Sequence, residues 1–187
     1  PGSFCAAPVD EAAARLAAIL RDEHAEVLTS YDRLGGYGHP DHVQVHAVAA
    51  AAAAVAGTPT VLEATISRGL IQMAIDLLPT LGYELPGDFV PPDLAKVYAS
   101  DDEITHRVDV TAHLAEKRAA MAAHTSQTTT SADVDPGTTA RTLALFLQIP
   151  DDLFGLAFGT EFYVDRSATD GTEATDLFAD RTVTAGD

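Results

Sequence analysis

The chain of 187 residues (19.6 kDa) carries 11 Lys and Arg against 28 Asp and Glu, a net charge of −17 with His neutral. Apolar residues make up 47% and charged residues 21%, which excludes wholesale disorder, collagen and disulfide scaffolds and leaves one folded domain with a real core. The acidic balance, with Lys96 and Lys117 the only lysines, excludes unaided binding to nucleic acid or anionic lipid, which clustered cations hold.

Cys5 is the sole cysteine, so no intrachain disulfide forms and a cytoplasmic setting is expected. The alanine-rich stretch from Ala47 to Ala56 is too short to cross a bilayer, and no membrane span is expected. Pro1-Gly2-Ser3-Phe4 shows neither an initiator Met nor a signal segment, so the start of the gene product is expected to lie upstream.

Asp10 to His24 reads as an amphipathic helix, with Leu16, Ile19 and Leu20 on one face. A strand over Glu26 to Ser30 then runs through Tyr31 into the glycine-rich loop Gly35-Gly36-Tyr37-Gly38. The next helix is expected to begin at Pro40, because Pro suits a first helical turn, to run through the alanines 49–54, and to end near Gly57. Thr60 to Thr65 reads as a strand, Ser67 to Leu81 as a helix and Ala95 to Ser100 as a strand. Thr111 to His124 reads as a helix, Thr125 to Thr139 as a mobile loop or plain linker, and Arg141 to Gln148 as a further helix. Leu153 to Val164 is apolar and compatible with helix or strand, and the acidic end from Ser167 is expected to fray. The alternation of β and α predicts an α/β fold.

The densest chemical signal is Gly35-Gly36-Tyr37-Gly38-His39-Pro40-Asp41-His42, followed by His46. Three of the seven histidines fall within eight residues. With a helix starting at Pro40, His42 and His46 share a face one turn apart, and His39 sits beside the first free backbone N–H groups. Such a cluster suits a metal or an anionic intermediate. The zincin pattern fails, because Val43 stands where a Glu is needed, and neither a phosphate loop nor a dinucleotide fingerprint is present. Lys117, between Glu116 and Arg118, reads as part of a solvated helix face, and Asp101-Asp102-Glu103 as a charged turn. Glu161 suits either a pocket or packing.

Thr29-Ser30-Tyr31-Asp32 leading into Gly35-Gly36-Tyr37-Gly38-His39-Pro40-Asp41-His42, with Val43 and His46, resembles the second motif of the PIG-L/LmbE-like zinc N-deacetylases. That family includes deacetylases of N-acetylglucosaminyl inositols and the mycothiol conjugate amidase. The resemblance continues in Lys96-Val97-Tyr98 and in Lys117 with His124-Thr125-Ser126-Gln127, and covers most of residues 1–165; an acidic, flexible tail is expected over 166–187. It implies a Rossmann-like three-layer sheet with helices on both faces, and Zn2+ held in part by His42.

By the same resemblance His39 stabilises the oxyanion formed when water attacks the amide, Asp41 tunes a histidine, and Tyr37 helps bind substrate and polarise the carbonyl, although a packing role for Tyr37 fits equally. His124 and Gln127 match a motif near the substrate pocket, while a histidine at a helix end also serves as a C-terminal cap. The role of His46 stays open. Zinc at such a site generates hydroxide near neutral pH and polarises the acetyl carbonyl.

The family's early His-Pro-Asp-Asp-Glu motif, which supplies two ligands and the general base, is absent from this sequence. The opening βα units of the fold, on the order of 100 residues, are therefore expected to be missing here. A companion polypeptide carrying that motif is the expected partner, and a small amino sugar the expected substrate. The implied reaction removes an N-acetyl group from a glucosamine-containing substrate. The alternatives are an amidase of a larger cysteinyl-glucosamine amide and a non-catalytic sugar-binding subunit.

Overall fold

Apolar residues spaced by three and four along Val9–Asp22 place Ala13, Ala17 and Leu20 on the buried face of the first helix, α1. Asp10 and Glu11 sit in its first turn, where the helix dipole favours carboxylates. His24 ends it in a left-handed conformation (φ 50°), and Ala25 N–H bonds back to Leu20 O at 2.9 Å. This computed structural model describes residues 2–82, 91–125, 128, 143–144, 146–168 and 174–178. The chain forms two compact units, Pro1–Arg68 with Asp93–Val108 and Glu161–Asp187, and Gly69–Pro92 with Asp109–Thr160.

In the first unit α1 leads to strand β1 (Val27–Tyr31), which pairs in parallel with β2 (Thr60–Thr65) from Val27↔Thr60 to Tyr31↔Ala64. Helix α2 (Pro40–Ala56) makes the crossover. Its alanines 49, 52 and 53 are buried, and small side chains let it pack closely against Ala13, Ala17 and Leu20 of α1. Burial of Leu20 alone contributes about 1.5–3 kcal/mol. Gly57 closes α2 at φ 78°, as the glycine position implies.

Strand β4 (Thr160–Asp165) runs antiparallel to β2, and β3 (His106–Asp109) lies beyond it, giving the order β1-β2-β4-β3. The architecture is α/β with a mixed sheet. Because α2 starts just past the carboxyl end of β1, the glycine loop and its histidines are delivered to the sheet edge where ligands of such folds bind.

The expected strand over Ala95 to Ser100 does not form. Leu94–Lys96 is a 3₁₀ turn whose start is capped by Asp93. The carbonyls of Val97 and Tyr98 are taken by Arg68 at 3.0 and 2.7 Å, and Tyr98 adopts φ 52°, which no strand accommodates. Strand β3 had no clear alternating pattern to announce it.

The second unit holds α3 (Arg68–Leu77) apart from its first residue, a 3₁₀ turn over Leu78–Leu81, and Thr111–His113 leading into α4 (Leu114–Ala123). Residues 143–144 and 146–147 are helical, and the apolar segment from Leu153 splits into helix α5 (Asp151–Phe158) and strand β4. Arg118 donates to Leu147 O and Ile149 O, both at 2.8 Å, and lies 3.9 Å over the Phe154 ring. Lys117, expected to be solvated, is half-buried and donates to Phe158 O at 3.0 Å, because the end of α5 leaves carbonyls open. Most of the expected loop from Thr125 to Thr139 lies outside the described residues. Among the described residues no helix is long and apolar enough to cross a membrane.

Candidate functional site

The site is built on Asp32, which is 0% exposed at the end of β1. Its Oδ1 accepts from Leu34 N–H at 2.9 Å and Gly36 N–H at 3.0 Å, and its Oδ2 accepts from the Thr65 hydroxyl at 2.7 Å. A buried carboxylate persists only when several donors meet it. The result is a fixed turn in which Gly35 and Gly36 both take positive φ, 67° and 64°. At Gly35 an added Cβ would meet Val43 N at 2.7 Å, so the loop presses directly on the first turn of α2.

His39 caps α2, its Nδ1 accepting from Asp41 N–H at 3.1 Å, and Pro40 takes the first helical position. With Nδ1 an acceptor, neutral His39 carries its hydrogen on Nε2. His42 Nδ1 faces Gly35 O at 3.3 Å, and a carbonyl only accepts, so here Nδ1 carries the hydrogen and Nε2 offers a lone pair. Two imidazoles 5.0 Å apart are thus held in opposite tautomers.

Tyr31 stacks on His42 at 3.9 Å with 8° between planes, and Tyr37 meets the same ring edge-on at 5.0 Å. Tyr37 is 41% exposed, which leaves its phenol open to a ligand. Burial, opposed by the bond to Gly35 O, holds His42 below the ordinary imidazole range. The Asp41 carboxylate accepts from the Ser3 hydroxyl and from Cys5 N–H, both at 2.7 Å, and these bonds hold it below the ordinary carboxylate range. In this arrangement Asp41 reaches His39 through its backbone N–H.

A second layer lies beneath. His46 Nδ1 is 3.3 Å from Tyr31 O and 3.4 Å from Glu63, which is only 4% exposed. Arg166 pairs with Glu63 at 3.0 Å and with Glu103 at 2.9 Å, and Arg33 of the glycine loop reaches Glu103 at 3.5 Å. Burial alone would raise Glu103; hydrogen bonds from Ser100, Arg166 and Arg33 bring it down to about 2. These contacts tie α2, β2, the end of β4 and the loop together, with Glu63, Arg166, Glu103 and Arg33 alternating in charge.

The structure thus unites Tyr37, His39, Asp41, His42 and His46. His124 belongs to the second unit, where it follows α4 with Nδ1 2.8 Å from Ala120 O, the geometry of a cap. Gln127 lies outside the described residues. Among the described residues no group of three or more His, Cys, Asp or Glu is placed to hold a metal ion, so they do not by themselves fit zinc.

No family model matches the chain. The chain is 32% identical over 198 residues to a 1D-myo-inositol 2-acetamido-2-deoxy-alpha-D-glucopyranoside deacetylase of Nocardioides sp., covering 95% of this chain and 61% of that protein. A protein of the same name from Geodermatophilus obscurus is 32% identical over 197 residues, with 96% and 63% covered. One from Nocardiopsis dassonvillei is 39% identical over 139 residues, with 69% and 49% covered. The chain belongs to the PIG-L/LmbE family. It spans about three-fifths of the length of the first two of these PIG-L/LmbE relatives.

Within this PIG-L/LmbE chain, Asp32 has a place in the sequence motif but no role assigned from it, and Thr65, Glu63 and Arg166 do not stand out in the sequence as site residues. Asp32 carried a legible signal, since Asp before a glycine-rich turn commonly accepts from the N–H two residues on, as it does from Leu34. Glu63 and Thr65 had none, because a polar residue in a strand reads as solvent-facing until the opposite layer is known.

Proposed function

We propose that this chain contributes to an enzyme that hydrolyses the N-acetyl group of a glucosamine-containing substrate, releasing acetate and a free amine. The observation that supports it is the pair of opposed tautomers. His39 offers an Nε2–H donor and His42 an Nε2 lone pair, on rings whose centroids are 5.0 Å apart at one loop-to-helix junction. Amide hydrolysis needs a donor where negative charge develops on the carbonyl oxygen, and His39 with the Tyr37 phenol supplies donors there. The relatives' names, which specify an acetamido sugar linked to inositol, support the same substrate class.

Zn2+ belongs to this reading as an ion that His42 would share with ligands the described residues do not include, carried by a companion segment or polypeptide. The general base is assigned there too. Substrate contacts from His124 and Gln127 and a cytoplasmic setting complete the proposal.

The test is acetate release from an N-acetylglucosaminyl inositol by the complete protein. His42→Ala should abolish it, and His39→Ala should lower kcat by about 10²–10³-fold. An unchanged rate in His42→Ala overturns the assignment. Preferential release of a larger acyl group replaces deacetylation with the amidase reading, and binding of the sugar without turnover replaces it with a binding subunit.

A further inference from the structure

Tyr98 is held in an unfavourable backbone conformation by bonds on every side. Its φ of 52° is one that bulky residues rarely adopt. Its N–H donates to Gly36 O at 2.7 Å, its carbonyl accepts from Arg68 at 2.7 Å, and the next N–H, of Ala99, donates to the Thr65 hydroxyl at 2.8 Å. Thr65 in turn donates to Asp32, the residue that shapes the glycine loop. A glycine would meet the same bonds without strain, so the side chain itself is what the position requires.

The phenol is directed to the face of Gly36. A Cβ built on Gly36 would lie 3.4 Å from Tyr98 Cε1 and 3.8 Å from Tyr31 Cδ1, so the two rings converge on this residue. Tyr31 is the ring stacked on His42, and Tyr37 follows Gly36 directly. The Tyr98 hydroxyl makes no hydrogen bond to a described residue. Burial, and after it the neighbouring Asp32, pushes Tyr98 up to about 12, so at neutral pH it is a donor. A half-buried phenol with no partner among the described residues, close to the exposed Tyr31 and Tyr37, suits the hydroxyl of a polyol.

We infer that Tyr98 is a substrate-binding residue of this site, its ring forming a wall beside Gly36 and its hydroxyl bonding a sugar hydroxyl of the amino-sugar substrate. The inference rests on the proposed deacetylase reading and assigns that site a further recognition element.

Tyr98→Phe in the complete protein tests it, because the ring still packs on Gly36 and only the hydroxyl is lost. The expected result is a KM for acetate release from an N-acetylglucosaminyl inositol raised about tenfold, as one lost hydrogen bond implies, with kcat and the urea midpoint unchanged. The dissociation constant of the deacetylated amino sugar, measured by ligand-observed NMR, should weaken by the same factor. Equal KM and binding in Tyr98→Phe overturn the inference and leave the deacetylase reading intact. A lowered urea midpoint with no KM change also overturns it, in favour of a structural phenol. If the unsubstituted protein neither binds the amino sugar nor releases acetate, the reading and the inference fall together.

Discussion

Replacing Gly35 with Ala perturbs the contact that seats the glycine loop on α2. Two costs are separable. Gly35 has φ 67°, and a left-handed L-residue costs roughly 1–2 kcal/mol. The new Cβ would also stand 2.7 Å from Val43 N, 2.9 Å from Val43 Cγ2 and 3.0 Å from His42 Cβ. The first of these atoms is helix backbone and cannot swing aside, so overpacking adds about 1–3 kcal/mol. The expected total is about 2–5 kcal/mol. Gly38→Ala is the control: φ is 89°, but nothing lies within 4 Å, so only the conformational cost of about 1–2 kcal/mol applies. Urea unfolding followed by circular dichroism measures both. With a slope of about 2 kcal/mol per molar, Gly35→Ala should unfold at a midpoint about 0.5–1.5 M below Gly38→Ala. Coincident midpoints would show that the approach of Gly35 to Val43 does not fix this position.

Asp32→Ala leaves the N–H groups of Leu34 and Gly36 and the Thr65 hydroxyl without their common acceptor, and should cost about 3–5 kcal/mol in urea unfolding. Asp32→Asn keeps one acceptor oxygen and should cost less; an equal loss refutes the role of the two N–H bonds. Glu103 is depressed to about 2 from 4.5, so its contribution is full above pH 4.5 and lost as pH falls toward 2. Discounted for the partial exposure of Arg166, that contribution is about 1–2 kcal/mol. Glu103→Gln should therefore be less stable than the parent by that amount at neutral pH, with the gap shrinking toward roughly pH 3. A gap constant across that range would rule the ion chain out as its source. Arg68→Met removes the donors to Val97 O and Tyr98 O, and amide exchange over residues 97–99 should speed at least about tenfold, as loss of roughly 1.4 kcal/mol of local stability implies. Unchanged exchange there would mean that other contacts hold Tyr98.

Helix α2 and the β1-to-α2 loop were legible in the sequence because their determinants are local. Pro40 opens the helix, the alanines propagate it, and Gly57 ends it at φ 78°. The β2 bounds expected from Thr60 and Thr65 hold, since the β-branched residues there flank a buried Leu62. The cluster of His39, Asp41 and His42 was likewise readable, because a turn and a helix start bring neighbours in sequence together in space.

Only the tertiary structure decided the rest. Whether Ala95 to Ser100 became a strand depended on Arg68, some 30 positions earlier, taking the carbonyls that a ladder would use. Asp32 became a buried organiser because Thr65 comes alongside it in the parallel pair, and Glu63 became an ion-pair centre because Arg166 follows β4 on the neighbouring strand. The tautomers of His39 and His42 follow from which backbone atom each Nδ1 meets. Sequence by itself determined the residues able to do chemistry and the elements that carry them. The folded chain decided which of their nitrogens and oxygens remain free, because that depends on contacts between residues far apart in the sequence.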